Sequence, residues 1–346
     1  MFLNIKNKID RELKKYTADF NKKFGLRRLS PLLFNRIKEF ISRDGKRVRP
    51  VLFCIAYLGF AKRKAAGIYR SALSLELLHD FMLVHDDIID KSETRRGKLS
   101  MHAGLNRYFI KNKNLKFSGQ DLSLIIGDII YALALDAFLA IKENPLRKEK
   151  ALQKLISSTL YTGGGEFIEL LLSAKPISQI TQNDIYKVYD YKTANYTFAS
   201  PLTMGAILAG ATTTELKKLY RYGMFLGRAF QIQDDIIGTF GKQKDTGKSN
   251  ITDLLEAKRT LLIWYAFDKT TAKNKIIINR IMNSRKTGLP EARLIRNLIQ
   301  STGALDYAKN QIKGLFNKAK NEITRLEMRK DYKDTLEEFS RKIIKI

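Results

Sequence analysis

Apolar residues recur along this chain at helical spacing, with charged residues filling the gaps between them. Residues 3–22 carry Leu3, Ile5, Ile9, Leu13 and Phe20 among charges, the pattern of an amphipathic opening helix. Pro31 is placed to start a second helix, which runs to about Arg43 before Asp44-Gly45 breaks it. Residues 50–62 and 66–92 are apolar almost throughout, which predicts buried helices. A basic turn, Arg95–Lys98, follows, and residues 110–121 read as a polar loop. A further buried helix is predicted over 122–142, ended by Asn144-Pro145.

Residues 147–174 keep the helical pattern despite Gly163-Gly164-Gly165. Each glycine costs about 1 kcal/mol relative to alanine inside a helix. The run therefore predicts a break or a close helix crossing, with tight approach to a ligand as the alternative. Thr181 is placed to cap a helix over 182–196, and Pro201 starts or kinks the next. Residues 214–238 and 259–267 are helical in pattern, with Trp264 most simply in the core. Residues 241–250 read as a flexible loop, and about 290–344 as charged amphipathic helix. No strand, fixed-period repeat or low-complexity segment stands out. With only six prolines in 346 residues, the expectation is an all-α fold forming one domain over 1–346.

Two aspartate pairs interrupt the apolar pattern. The first lies in Leu83-Val84-His85-Asp86-Asp87-Ile88-Ile89-Asp90, the second in Gln231-Ile232-Gln233-Asp234-Asp235-Ile236-Ile237-Gly238. Asp86 and Asp90 stack one helical turn apart, with Asp87 beside them. Three carboxylates so close need a cation, and hard oxygen donors on a short helical stretch suit Mg²⁺, whose remaining ligands come from water and substrate phosphates. Basic residues accompany the pairs: Gly45-Lys46-Arg47-Val48-Arg49-Pro50, Arg95-Arg96, Lys248 and Lys258. Metal-binding carboxylates combined with guanidinium and ammonium groups describe a site for a phosphate ester carrying several charges.

These stretches resemble the trans-prenyltransferases, the polyprenyl diphosphate synthases. The similarity is carried by Gly45–Pro50, Glu76-Leu77-Leu78-His79, Asp86–Asp90 with Arg95-Arg96-Gly97, and Gly127-Asp128. It continues through Lys192-Thr193-Ala194, Phe230–Asp235, and Gly247-Lys248 to Lys258-Arg259-Thr260. Their order over about residues 40–265 is far more specific than any single DDxxD string. The resemblance implies the isoprenoid-synthase fold, helices packed around a central substrate cavity, and a homodimer. It implies Mg²⁺-assisted condensation of isopentenyl diphosphate with an allylic diphosphate (dimethylallyl, geranyl or farnesyl).

By that resemblance Asp86, Asp87, Asp90 and Asp234 are the metal ligands, and Asp235 joins them in the catalytic set. Lys46, Arg49, His79 and Arg96 hold isopentenyl diphosphate. Arg95, Lys192, Thr193, Gln231, Lys248 and Lys258 serve the allylic diphosphate, with a solvated loop lysine as the alternative for Lys248. His85 and His102 carry no assigned role. Gly238 stands where many members have a third aspartate, which puts the ion count in doubt. Phe81 and Met82, one turn before Asp86, are expected to set product length. The pattern is similar to that of archaeal-type enzymes making geranylgeranyl diphosphate, with farnesyl or longer products as alternatives.

Composition adds three constraints. The single cysteine, Cys54, excludes an intrachain disulfide and lies among apolar residues, so an inert buried thiol is expected. No signal-like or bilayer-length apolar run is visible, so a cytoplasmic protein is expected. The net charge of +28 points toward nucleic acid or an anionic membrane. Its basic residues, however, are dispersed and no nucleic-acid motif occurs, which leaves at most a weak membrane-surface association. A class I terpene cyclase would leave Lys46, Arg49 and His79 without a task, and a non-catalytic partner subunit would have lost first-motif aspartates.

Overall fold

A computed structural model describes residues 1–112, 114–241, 258–284 and 288–345. Among them the regular elements are helices apart from one short hairpin. The order is α1 (Phe2–Phe24), α2 (Leu26–Leu29), α3 (Pro31–Ile41), α4 (Val48–Phe60), α5 (Ile68–Ile89), β1 (Thr94–Arg95), β2 (Lys98–Leu99), α6 (Met101–Tyr108), α7 (Gly119–Phe138) and α8 (Pro145–Ser173). A 3₁₀ turn (Ile177–Gln179), α9 (Gln182–Val188) and a π-helix (Tyr189–Ala199) lead into α10 (Ser200–Ala209) and α11 (Thr213–Phe240). The remainder is α12 (Leu261–Lys269), α13 (Ala272–Met282), α14 (Leu289–Ser301), α15 (Ala304–Thr324) and α16 (Lys330–Ile343). The chain divides into two compact units, Met1–Leu152 with Met204–Gly210, and Gln153–Thr203 with Ala211–Ile346.

In the first unit α4 and α5 are buried on nearly every side, as their unbroken apolar runs require. Ile9, Leu13, Tyr16 and Phe20 of α1 pack inward. Cys54 is fully buried, and burial raises its thiol far above the usual range, so it is inert. Helix α7 crosses α5 closely at Gly127, where a Cβ would lie 2.4 Å from Nε2 of His85. A side chain there would require the His85 ring to move.

In the second unit α11 packs against the π-helix and α15, with Gly223 and Gly227 against Ala199 and Ala194. The three-glycine run does not break α8. Gly163 and Gly164 face open space, while a Cβ on Gly165 would meet the backbone nitrogen of Lys192 at 2.7 Å. The run is thus in part a close crossing.

Several elements differ from the sequence expectation. The basic turn is the bend of the β1–β2 hairpin, whose two-residue strands are too short to leave an alternating pattern. Thr181 caps α9 in a capping box with Asp184, as expected, but the α-helix ends at Val188 and continues as eleven residues of π-helix. Trp264 is half-buried. Helix α6 and helix α13 had no distinct periodic signal. The 241–250 loop lies, after Gly241, outside the described residues. No helix among the described residues is long and apolar enough to cross a membrane.

Candidate active site

The first aspartate motif closes α5. Asp90 is the C-cap, its N–H donating to the carbonyl of Asp86 at 2.8 Å. Asp86 and Asp90 are half-buried and offer carboxylate oxygens within 4.8 Å of each other. Asp87 turns the other way and is fully buried. Its Oδ1 accepts from Nε of Arg95 at 2.7 Å and also from Nη2, and Nη2 lies 3.3 Å from Oδ2 of Asp86. Asp87 Oδ2 has no hydrogen-bond partner among the described residues. Burial raises the Asp87 carboxyl above its ordinary range, and the Arg95 guanidinium opposes this. The Asp86–Asp90 pair fits a hard divalent cation: two oxygen donors one turn apart, with solvent able to complete the shell.

Upstream on the same helix, a buried ionic cluster surrounds the basic loop between α3 and α4. Arg47 is 4% exposed and sits at φ +51°, a left-handed conformation unusual outside glycine. Its guanidinium donates to Glu76 Oε1 at 2.6 Å, Asp10 Oδ1 at 3.0 Å and the carbonyl of Arg43 at 2.8 Å. Arg47 thereby anchors the loop from inside, leaving Lys46 exposed and Arg49 half-buried on either side. Arg96, also left-handed at φ +54°, lies at the hairpin bend. Its guanidinium is 3.5 Å from Glu76 and 3.4 Å from Asp80. Asp80 is fully buried, and burial, then the neighbouring Glu76, raises its carboxyl well above the usual range against the opposing arginines. His79 is held well below the ordinary imidazole range by desolvation and by Arg49, Arg96, Arg95 and Arg47, so it stays neutral near pH 7. The structure thus sets Arg47 and Arg96 against Glu76, Arg96 against Asp80 and Arg49 near His79, in the unit that also carries the exposed Lys46.

One turn before Asp86, the Phe81 ring packs edge-on to His85 (centroids 4.7 Å) and against Tyr131 of α7 (5.2 Å). Met82 is half-buried. His102 is buried beside Ser100, 3.3 Å away, as a packing residue.

The second unit holds the other motif on α11 and the π-helix. Asp234 is exposed and Asp235 buried. Thr193 Oγ1 donates to Gln231 Oε1 at 2.6 Å, and Gln231 Nε2 donates to Asp235 Oδ1 at 2.9 Å. The phenol of Tyr189 donates to Asp235 Oδ2 and accepts the Leu261 N–H at 3.0 Å. Burial, then Asp235, holds the Tyr189 phenol well above its ordinary range, so it remains a donor. Lys192 is gripped by Glu166, 2.5 Å away, and by Glu169. Arg259, next to Lys258, donates to the carbonyls of Ser173 and Lys175, both at 2.9 Å, which fixes the backbone that carries Lys258. Lys248 lies outside the described residues.

Sequence reading passed over Asp80, Glu166, Glu169 and Tyr189, and gave Arg47 no role of its own within the basic stretch Gly45–Pro50. Tyr189 could have been found, since it lies three residues before Lys192 of the Lys192-Thr193-Ala194 stretch. Glu166 and Glu169 needed the crossing at Gly165 to be known.

The fold and motifs agree with known proteins. The profile of the family described as "Polyprenyl synthetase" matches residues 30–299. A short chain isoprenyl diphosphate synthase from Methanocaldococcus jannaschii is 27% identical over 306 residues, covering 88% of this chain and 84% of that one. A geranylfarnesyl diphosphate synthase from Aeropyrum pernix is 30% identical over 291 residues, covering 83% and 85%. A crystal structure of a geranylgeranyl pyrophosphate synthase from Corynebacterium glutamicum, complexed with isoprenyl diphosphate and magnesium, superposes with a TM-score of 0.87 at 24% identity, covering 98% of both chains. That likeness establishes the all-α isoprenoid-synthase fold, and the match over residues 30–299 places the chain in the polyprenyl synthetase family as a prenyltransferase.

Proposed function

We propose that this chain is a short-chain prenyl diphosphate synthase that condenses isopentenyl diphosphate with allylic diphosphates and yields mainly geranylgeranyl diphosphate. The observation that carries the condensation is the placing of Arg49 and Arg96 beside His79, with Lys46 exposed on the Arg49 loop, in the unit that also holds Asp86 and Asp90. An enzyme that only ionised one diphosphate would have no use for a second cationic cluster. The relatives point the same way, since they are named short chain isoprenyl, geranylgeranyl and geranylfarnesyl diphosphate synthases.

Asp86, Asp90 and Asp234 would hold magnesium, which when bound neutralises the diphosphate oxygens as the carbon–oxygen bond breaks. Asp87 and Asp235 contribute from behind, through Arg95 and through Gln231. Arg95, Lys192 and Lys258 stabilise the departing allylic diphosphate, while Thr193 and Gln231 orient it. Lys46, Arg49 and Arg96 hold isopentenyl diphosphate, and His79, being neutral, donates without adding charge. The double bond of isopentenyl diphosphate attacks the allylic cation, and the released diphosphate takes the proton. Apolar walls keep water from quenching the cation. No side-chain nucleophile takes part.

Product length rests on Phe81. Its ring, braced by His85 and Tyr131, closes the space one turn below Asp86, and the flexible Met82 leaves room for a fourth isoprene unit. The test is incubation with isopentenyl diphosphate and each allylic diphosphate, with chain length read by mass spectrometry. Wild type is expected to stop at twenty carbons and Phe81→Ala to run longer. An active, folded Phe81→Ala with unchanged products removes the basis of the length assignment.

A homodimer belongs to the same reading. Ile156, Leu160, Phe167 and Leu171 form an exposed apolar stripe along α8, and a second copy of the chain is its proposed cover.

A further inference from the structure

We propose that the described residues between α6 and α7, with the adjoining face of α6, are a docking surface for a bilayer that carries anionic phospholipid. Two independent features meet there. The first is an exposed apolar tip: Tyr108 is 57% exposed, Ile110 76%, Leu115 38% and Phe117 41%. Phe109 packs edge-on against both Tyr108 (4.8 Å) and Phe117 (5.4 Å), so the aromatic rings form a braced platform with Ile110 standing out from it. Arg107, Lys111 and Lys116 are exposed between these apolar side chains. Aromatic and aliphatic groups interleaved with basic residues suit a membrane interface, where rings sit at headgroup level and ammonium groups reach phosphates.

The second feature is an open basin of about 430 Å³ beside that tip, lined by Arg36, Glu39, Arg43, Lys98, Arg107 and Tyr108 among others. Arg43 is buried and pairs with Glu39 at 2.8 Å, and Lys98 reaches the same carboxylate at 3.2 Å. Glu39 is the one acid in the lining, against four basic residues. Arg36 lies over the Tyr108 ring at 5.6 Å and donates to the carbonyl of Gly104 at 3.3 Å, which holds its guanidinium at the basin wall. The basin therefore keeps surplus positive charge and has room for a phosphate headgroup.

The sequence extends the charge asymmetry. From Thr94 to Gln120 there are seven Lys and Arg residues and no Asp or Glu. This composition selects among occupants. A second copy meeting this face across a two-fold axis would set the basic patch against itself, and like charges would oppose the contact. An anionic bilayer supplies both the negative charge and the apolar layer that Ile110 needs. The basin touches the hairpin that carries Arg95, whose carbonyl accepts from Arg43 at 3.2 Å, but the tip residues Arg107, Ile110 and Lys111 have no part in the assigned reaction, so failure of the docking proposal leaves the proposed activity standing.

The test is co-sedimentation of the full chain with vesicles of phosphatidylcholine, with and without phosphatidylglycerol, at low and high salt. The chain is expected to bind the anionic vesicles, to release them as salt rises, and to leave neutral vesicles in solution. Ile110→Asp and, separately, the double variant Arg107→Glu/Lys111→Glu are each expected to weaken that binding by about tenfold or more. Both should keep wild-type melting and condensation of water-soluble substrates. Undiminished binding by both variants means that diffuse net charge alone drives adhesion, and overturns the proposal. Equal binding to neutral vesicles overturns it too. A self-association that Ile110→Asp abolishes would assign the face to a second copy instead.

Discussion

The two aspartate pairs look alike in sequence, yet their inward members are held by different chemistry. On α5, Asp86 faces outward with Asp90 and Asp87 is buried against the Arg95 guanidinium. On α11, Asp234 is exposed and Asp235 is buried, with the neutral donors Tyr189 and Gln231 among its partners. The shared feature follows from helix geometry, since consecutive side chains point about 100° apart and cannot share a face. One carboxylate of each pair looks out and the other ties its helix to the scaffold. The difference lies in the cost of disturbing the inward member. A buried ion pair broken on one side leaves an uncompensated charge, whereas a carboxylate held by neutral donors is replaced by an amide at small loss.

This contrast can be broken by experiment. Asp87→Asn should destabilise the protein by about 3 kcal/mol, because the amide carbonyl can still accept from Arg95 but the half-buried guanidinium loses the charge of its buried carboxylate partner. Asp235→Asn should cost about 1 kcal/mol, since its carbonyl still accepts from one donor. Denaturant midpoints read both, and equal losses would erase the distinction. Tyr189→Phe sharpens the second half. It removes a donor from a buried carboxylate and an acceptor from the Leu261 N–H, and should cost about 2 kcal/mol. Through Gln231 and Thr193 it should also raise the KM for the allylic diphosphate more than that for isopentenyl diphosphate. A uniform rise in both KM values would show that the chain of hydrogen bonds does not reach the substrate.

The smallest effect concerns Asp80, which sits in the first unit beside Arg96 with no hydrogen bond on either oxygen among the described residues. Its carboxyl is raised in the folded state above the unfolded value of 3.8. Its stabilising contribution is therefore present below that value and lost as pH rises through the folded pKa. Asp80→Asn removes this loss, so the variant should gain on wild type as pH climbs from 4 toward 8, by about 1 kcal/mol. Thermal melts across that range check the sign, and a variant that falls behind as pH rises contradicts it.

Much of this was legible in the sequence. The 3.6-residue pattern located the long helices, because each buries one side or all sides. The i, i+4 relation of Asp86 and Asp90 identified the outward pair. Adjacent residues were harder. Asp87 was read with Asp86 and Asp90, but its direction depends on Arg95, eight positions away on a hairpin too short to leave a strand signal. The π-helix was invisible for a similar reason: its residues 189–199 are helical in composition, and only the packing of α11 and the crossing at Gly165 show the wider turn. Arg47 and Asp80 were hidden because partners that neutralise a buried charge come from elsewhere in the chain.

The central claim is that outward carboxylates serve the reaction and inward ones the scaffold. Its most direct test is Mg²⁺-dependent incorporation of isopentenyl diphosphate by Asp86→Ala, set beside that variant's thermal melt. The account predicts that turnover falls on the order of 10³-fold while the melting temperature stays near wild type. A near-normal rate in the folded variant would contradict it.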